Sequence, residues 1–377
     1  MLTRVYVDNF RCLVNFELRL DRLNLLLGDN GTGKTTVFDI LRRLQRFVGG
    51  STKVNTVFPA QDLTRWQSSP RQRFELDLRI GQAAYTYSLV VEHAEDLRRM
   101  RIGQEKLLMN DMPLFELELN TEGNEATAQL YHDDFQPGPR YPFDWSQSGV
   151  GSLPERPDNT NLTAFRRELK RFIIAAPCPP LMSSESREEE DILSGHAENF
   201  ISWFRWLLQE HQGGVFNACR ELEKVLPGFT SFSLKEAGEN VRVLKALFRR
   251  PSEKGKPISF DFSELSDGQR ALIACYMMVF GLANEGVHLF LDEPDNYVEL
   301  REIQPWLALL ACKADDSDCI AQAVLISHHP DVIDYLAGSA GRWFERDPVG
   351  PARVSDKPRA QVEGLKPSEA IARGWDK

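Results

Sequence analysis

The chain has 377 residues, 42% of them hydrophobic, and a formal net charge of −10. The hydrophobic share excludes global disorder, and the length fits two domains or one large domain with an insertion. The acidic balance excludes a uniformly basic coat for nucleic acid but leaves room for a local basic groove. From Met1 the chain runs straight into a strand with no secretory signal. The longest apolar run, 271–283, is too short to span a bilayer and reads as a buried helix, so the expected setting is the cytoplasm, without a membrane. The six cysteines (12, 178, 219, 275, 312 and 319) are scattered and complete no zinc set.

Short strands are expected at 3–8 and 14–20. Residues 23–27 are nearly all apolar, as for a strand buried on both faces. A helix follows over 33–47, with Ile40, Leu41, Leu44 and Phe47 on one face. Strands are expected at 73–80, where Phe74, Leu76, Leu78 and Ile80 alternate, and at 85–92. Residues 136–160 hold Pro137, Pro139, Pro142, Pro154 and Pro157 and read as a long loop or insertion. The acidic stretch 183–191 reads as a solvated loop leading into helices at 200–210 and 215–226. The stripe Phe200, Trp203, Phe204 and Trp206 is read as core, and Pro227-Gly228 ends the second helix. Strands follow at 229–234, 241–248 and 258–262, then loop, helix, strand, helix, strand. No repeat or sustained heptad is present.

Three stretches carry chemistry. Gly28-Asp29-Asn30-Gly31-Thr32-Gly33-Lys34-Thr35 matches the phosphate-loop pattern between an apolar strand and a helix. The glycines let backbone N–H groups turn toward phosphate oxygens, and the helix N-terminus adds partial positive charge. The nucleotide is therefore expected on Asn30, Gly31, Thr32, Gly33, Lys34, Thr35 and Thr36. Lys34 reaches the β- and γ-phosphates, and Thr35 ligates Mg²⁺. The apolar strand 287–291 ends in Asp292-Glu293, where Asp292 is placed to hold Mg²⁺ and Glu293 to deprotonate the attacking water. Leu265-Ser266-Asp267-Gly268-Gln269 opens a helix; taken alone it reads equally as a capping box with Ser266 as N-cap.

Leu265-Ser266-Asp267-Gly268-Gln269 resembles the signature motif of ABC-type ATPases, usually Leu-Ser-Gly-Gly-Gln. Asn30 before Gly31-Thr32-Gly33-Lys34-Thr35 is similar to the Asn-Gly-x-Gly-Lys-Ser/Thr form of that superfamily. Asn9-Phe10-Arg11 near the start, and Ser327-His328-His329-Pro330 after an apolar strand, resemble the RecF, SMC and OLD branch. These motifs run from residue 4 to residue 330, in the family's order. On them the chain is identified as resembling a soluble ABC-type ATPase of the AAA-like, OLD/RecF/SMC-related group.

The resemblance implies an α/β P-loop NTPase head of ABC type, with a mixed sheet, an antiparallel β subdomain and a helical insertion subdomain. The implied segments are 1–135, the N-terminal head with the phosphate loop, and 136–260, a helical and regulatory insertion. They continue with 261–350, carrying signature, acidic strand and switch histidine, and a tail, 351–377. It implies heads that dimerise head to tail or assemble further, with Ser266, Gly268 and Gln269 acting on ATP held at Lys34 of another copy. His328 is expected to contact the γ-phosphate or the attacking water, ahead of His329. Arg11 reads as approaching the nucleotide or as a surface arginine. Asp267 departs from the usual glycine, and the histidine common after Asp-Glu-Pro in relatives is missing, with Asp295 left as candidate acid. Gln61 and Gln104 are the candidates for the family's Q-loop glutamine.

Only about 47 residues follow Pro330, which leaves no room for the Toprim nuclease usual in OLD proteins. The functional expectation is an ATPase that regulates a separately encoded effector, a nuclease or toxin, in prokaryotic anti-phage defence. The alternative is a DNA-repair or maintenance ATPase of RecF or SMC type. For it, Arg98-Arg99-Arg101, Arg166-Arg167-Lys170-Arg171 and Arg249-Arg250 with Lys254 and Lys256 would line a DNA groove.

Overall fold

The computed structural model describes residues 1–377 except 51, 95–99, 121–124, 250–255, 283–285, 316–319, 357–363 and 375–377. The chain divides into two compact units. One comprises Met1–Asp21, Leu27–Lys170 and Arg342–Pro358; the other comprises Arg22–Leu26, Arg171–Gly341 and Arg359–Lys377.

The first unit is built on an eight-stranded antiparallel sheet. Its order is Phe16–Arg19, Leu2–Asp8, Arg71–Ile80, Ala83–His93, Met100–Met109, Met112–Asn120, Glu125–Tyr131 and Pro137–Phe143. Alternation buries Phe74, Leu76, Tyr85, Tyr87, Leu89, Phe115 and Leu117. The phosphate-loop helix Lys34–Val48 buries Val37, Phe38, Ile40, Leu41, Leu44 and Phe47. Phe47 meets Phe58 edge-on at 5.7 Å, and Phe58 stacks on Phe74 at 4.8 Å, so an aromatic chain ties the helix to the sheet. Asn9-Phe10-Arg11 is a staple here. Buried Asn9 accepts from the Thr64 N–H at 3.1 Å and donates to the Ser69 and Arg71 carbonyls, while Phe10 packs edge-on to Phe74.

Residues 136–160, expected as loop, contain the strand Pro137–Phe143 and the short helix Gly149–Ser152. The prolines are tolerated because the strand is the last in its sheet, with one side of its backbone unpaired. The strands Met100–Met109, Met112–Asn120 and Glu125–Tyr131 were not anticipated. Bulges that leave Gly103 and Leu114 without a cross-strand partner interrupt the period-two signal in the first two. Glu125–Tyr131 alternates, but two of its three buried positions are the weakly apolar Ala126 and Ala128.

The second unit holds a parallel sheet. Phe172–Ala175, Val287–Asp292, Ile320–Ile326 and Leu23–Leu27 lie side by side in that order. The register places Asp292 beside Ile326 and Ile326 beside Leu26, so these strands end at one edge. A small antiparallel sheet carries Phe229–Gly238, Val241–Phe248 and Ile258–Asp261. Of the aromatic stripe, Phe200, Trp203 and Phe204 are core, as expected, while Trp206 is half-buried beside His211. Phe200 stacks on Phe262 at 5.3 Å, and Phe204 meets Phe232 edge-on at 5.3 Å. The signature helix Asp267–Phe280 is buried from Ala271 to Phe280. Among the described residues no helix is long and apolar enough to cross a membrane.

The helix expected from residue 215 begins earlier, at Gln212–Val225, and Gly214 explains why its glycines do not break it. A Cβ at Gly214 would meet the Phe280 carbonyl oxygen at 2.3 Å and that of Gly281 at 2.6 Å, so only glycine allows this backbone contact. Gly214→Ala should lower stability by about 1–3 kcal/mol, read as a lower urea midpoint. An unchanged midpoint would contradict the close approach.

Candidate nucleotide site

The phosphate loop lies in the first unit. Gly28 has φ +137°, and a Cβ there would fall 2.2 Å from the Phe344 carbonyl oxygen. Gly33 has φ +103°, and its Cβ would meet Cys12 Sγ at 2.9 Å. Both positions demand glycine on conformation and on space. Lys34 is 6% exposed, and its ammonium donates to the Gly28 carbonyl at 2.7 Å and the Asp29 carbonyl at 2.9 Å. The cation is thereby held inside the curl of the loop. Thr32 donates to the Asp29 carbonyl at 2.8 Å, which stiffens the same turn. Gly33 offers no side-chain cap to the helix it starts. Its first N–H groups are suited to an anion. Asn30, Gly31 and Thr35 are exposed along the rim, and Thr36 stands 3.9 Å from Cys12 Sγ.

Arg11 is engaged by carboxylates. Its Nε donates to Asp62 at 2.7 Å, and its Nη1 pairs at 3.0 Å with Asp39 on the phosphate-loop helix. Of the two candidate glutamines, Gln61 lies exposed in the turn Ala60–Asp62, and Gln104 donates to Glu118 at 3.2 Å on the antiparallel sheet.

The acidic strand, switch histidine and signature lie in the second unit. Glu293 follows Val287–Asp292 with φ +48°, a left-handed conformation that a non-glycine residue adopts at a cost. Its N–H bonds the Ile326 carbonyl at 2.8 Å, which holds the turn. One carboxylate oxygen of Glu293 stands 3.5 Å from His328 Nε2, and the other accepts from the Asn296 amide. The two histidines are thus distinguished. His329 caps the helix Pro330–Ala340, its Nδ1 accepting from the Asp331 N–H at 3.2 Å, while His328 faces the carboxylate.

One contact could not be read from sequence. Ser327, 2% exposed, donates to Asp295 at 2.9 Å and accepts from the His329 N–H at 3.0 Å. Asp295, the candidate acid, is thus a buried post that fixes the backbone on both sides of His328. Only the adjacency of Ser327 to His328 was visible in the chain; the partner lies 32 residues earlier.

Ser266 and Gln269 form a complete capping box. Ser266 Oγ accepts from the Gln269 N–H at 3.2 Å, and Gln269 Oε1 accepts from the Ser266 N–H at 3.0 Å. The capping leaves the Ser266 hydroxyl proton available, since a serine oxygen can accept and donate at once. A Cβ at Gly268 would meet the Tyr297 carbonyl oxygen at 2.8 Å. Asp267, at the unusual third position, pairs with Arg270, which also donates to the Pro179 carbonyl at 2.8 Å. Among the described residues no group of three or more His, Cys, Asp and Glu could hold a metal ion. Thr35 offers a hydroxyl and Asp292 a carboxylate, oxygen ligands of the kind that Mg²⁺ takes.

A loop curled around a lysine, and a parallel strand that ends in two carboxylates beside a histidine, are the parts of a P-loop ATPase head. Residues 1–112 match the family model described as AAA ATPase domain. An SMC head bound to the C-winged helix domain of ScpA superposes with a TM-score of 0.55 at 12% identity, covering 98% of this chain and 99% of that one. The SMC head domain from Thermotoga maritima gives a TM-score of 0.47 at 13% identity, covering 94% of this chain and 98% of that one. Comparison with curated proteins gives no match. The first 112 residues are thus similar to an AAA ATPase domain, and the chain has the fold of an SMC-type head.

Burial pushes the Asp295 carboxyl above its ordinary value, against the pull of the Ser327 hydroxyl. A carboxyl raised in the folded state binds its proton more tightly there than in the unfolded chain. Its contribution to stability is therefore largest at low pH and declines as pH rises through and above the ordinary carboxylate range. Asp295→Asn should gain urea resistance relative to wild type between about pH 4 and about pH 7. A difference that stays constant across that range would contradict the assignment.

Proposed function

We propose that the protein binds and hydrolyses ATP in a head-to-tail dimer or larger assembly of its own copies, and that the cycle regulates a separately encoded effector. The observation that carries this reading is Glu293, held in a left-handed conformation with His328 at 3.5 Å. Strain of that kind persists where a reacting group must be aimed. Glu293 deprotonates the attacking water, and His328 orients that water or the γ-phosphate. Lys34 binds the β- and γ-phosphates, with Asn30, Gly31, Thr32, Gly33, Thr35 and Thr36 supplying backbone and hydroxyl donors. Thr35 and Asp292 hold Mg²⁺, which neutralises phosphate charge when bound. Arg11 braces the loop helix through Asp39.

Ser266 stands exposed at the start of the signature helix, where the positive end of the helix dipole and its hydroxyl suit a γ-phosphate. The family resemblance assigns that phosphate to a second copy, with Gly268 and Gln269 shaping the contact. A separately encoded partner is supported by the SMC head found bound to a domain of ScpA. Residues 136–260 are the proposed regulatory region. A nuclease or toxin effector in prokaryotic anti-phage defence, within the cytoplasm, extends the reading on family resemblance. The DNA-maintenance alternative draws weak support from the likeness to an SMC head, whereas the anti-phage role rests on family resemblance alone. Arg101 pairs with Glu92 at 3.2 Å and Arg167 with Glu155 at 2.8 Å, which neutralises part of the basic groove; Arg98, Arg99, Arg250 and Lys254 lie outside the described residues.

Lys34→Ala should abolish ATP binding measured at equilibrium, because the phosphate charge loses its cation; binding at wild-type strength refutes the site. Glu293→Gln should bind ATP, release phosphate at least about 100-fold more slowly, and accumulate as an ATP-dependent dimer in light scattering. Turnover near wild type would remove Glu293 as general base.

A further inference from the structure

Trp66 is 38% exposed although its position is fixed. Its indole N–H donates to the Val349 carbonyl, and the Arg346 guanidinium lies over its ring, 5.1 Å from the centroid. The same guanidinium donates from Nη1 to the Gly31 carbonyl and from Nε to the Gly350 carbonyl, each at 2.9 Å. Arg346 therefore links an exposed indole to the rim of the phosphate loop. Beside Gly31 the space where a Cβ would stand is open. The antiparallel hairpin of Gly341–Arg346 and Ala352–Ser355 carries Arg346 and the turn that pins Trp66.

We propose that Trp66 and Arg346 form the nucleoside subsite of the loop, and that a purine base stacks on this pair while its phosphates lie on Gly31 to Thr36. The inference rests on the reading of that loop as the ATP site. An indole and a guanidinium offer flat, polarisable faces that match the π-face of a base, and leaving a pinned indole in water otherwise forfeits its burial. Recognition is by face rather than by edge. The pair selects a nucleotide over a bare phosphate chain.

The test compares equilibrium binding of ATP and of inorganic tripolyphosphate to the full chain. Trp66→Ala should weaken ATP about tenfold or more and leave tripolyphosphate within about twofold of wild type, and Trp66→Phe should restore most of the ATP affinity. Unchanged ATP affinity in Trp66→Ala overturns the proposal. Equal loss of both ligands also overturns it, because Trp66 would then only support the loop. Failure of the wild type to bind either ligand would instead sink the ATP-site reading. Should Trp66→Ala not fold, tryptophan emission decides. ATP should change emission of the wild type beyond the effect of tripolyphosphate, and that excess should vanish in Trp66→Phe; its persistence overturns the subsite.

Discussion

The constraint on which the proposed site depends is the curl of backbone around the Lys34 ammonium. The cation donates to the Gly28 and Asp29 carbonyls at 2.7 and 2.9 Å. That curl exists only because Gly28 can take φ +137° with the Phe344 carbonyl pressed where a Cβ would be. A loop held this way presents N–H groups and an uncapped helix end before any ligand arrives. Little reorganisation is then needed on binding, which is how a few residues can hold a highly charged ligand.

The second unit solves a different problem, which is aiming two side chains at one point. The parallel register ends the strands Val287–Asp292 and Ile320–Ile326 together, and the Glu293 N–H bonds the Ile326 carbonyl across that edge. Asp295 and Ser327 then clamp the turn that carries His328. Burying a carboxyl costs free energy unless it is hydrogen-bonded, and one oxygen of Asp295 has no such partner. The loss is offset where it fixes His328 beside the Glu293 carboxylate.

What was legible in the chain was local. The phosphate loop, Asp292-Glu293 and the capping box at Ser266 are contiguous runs whose chemistry follows from residue types at short spacing. The helix Phe200–Glu210 was legible from its apolar stripe, and the strand Val241–Phe248 from a short run rich in valine, leucine and phenylalanine. Much of the antiparallel meander was not: bulges at Gly103 and Leu114 break the alternation of two strands, alanines make that of Glu125–Tyr131 faint, and Pro137–Phe143 was hidden by its prolines. Tertiary pairs were beyond reach for the same reason. Ser327 with Asp295, and Trp66 with Arg346, join residues that the fold alone brings together.

The central claim is that each ATP site is completed by a second copy. Its most direct measurement mixes two inactive variants, Lys34→Ala and Ser266→Arg, and reads phosphate release. In a head-to-tail dimer the mixed species regains one intact site, formed by Lys34 of one chain and Ser266 of the other. The account predicts activity in the mixture that neither variant shows alone. A mixture as inactive as its components, despite demonstrated mixed dimers, would contradict it.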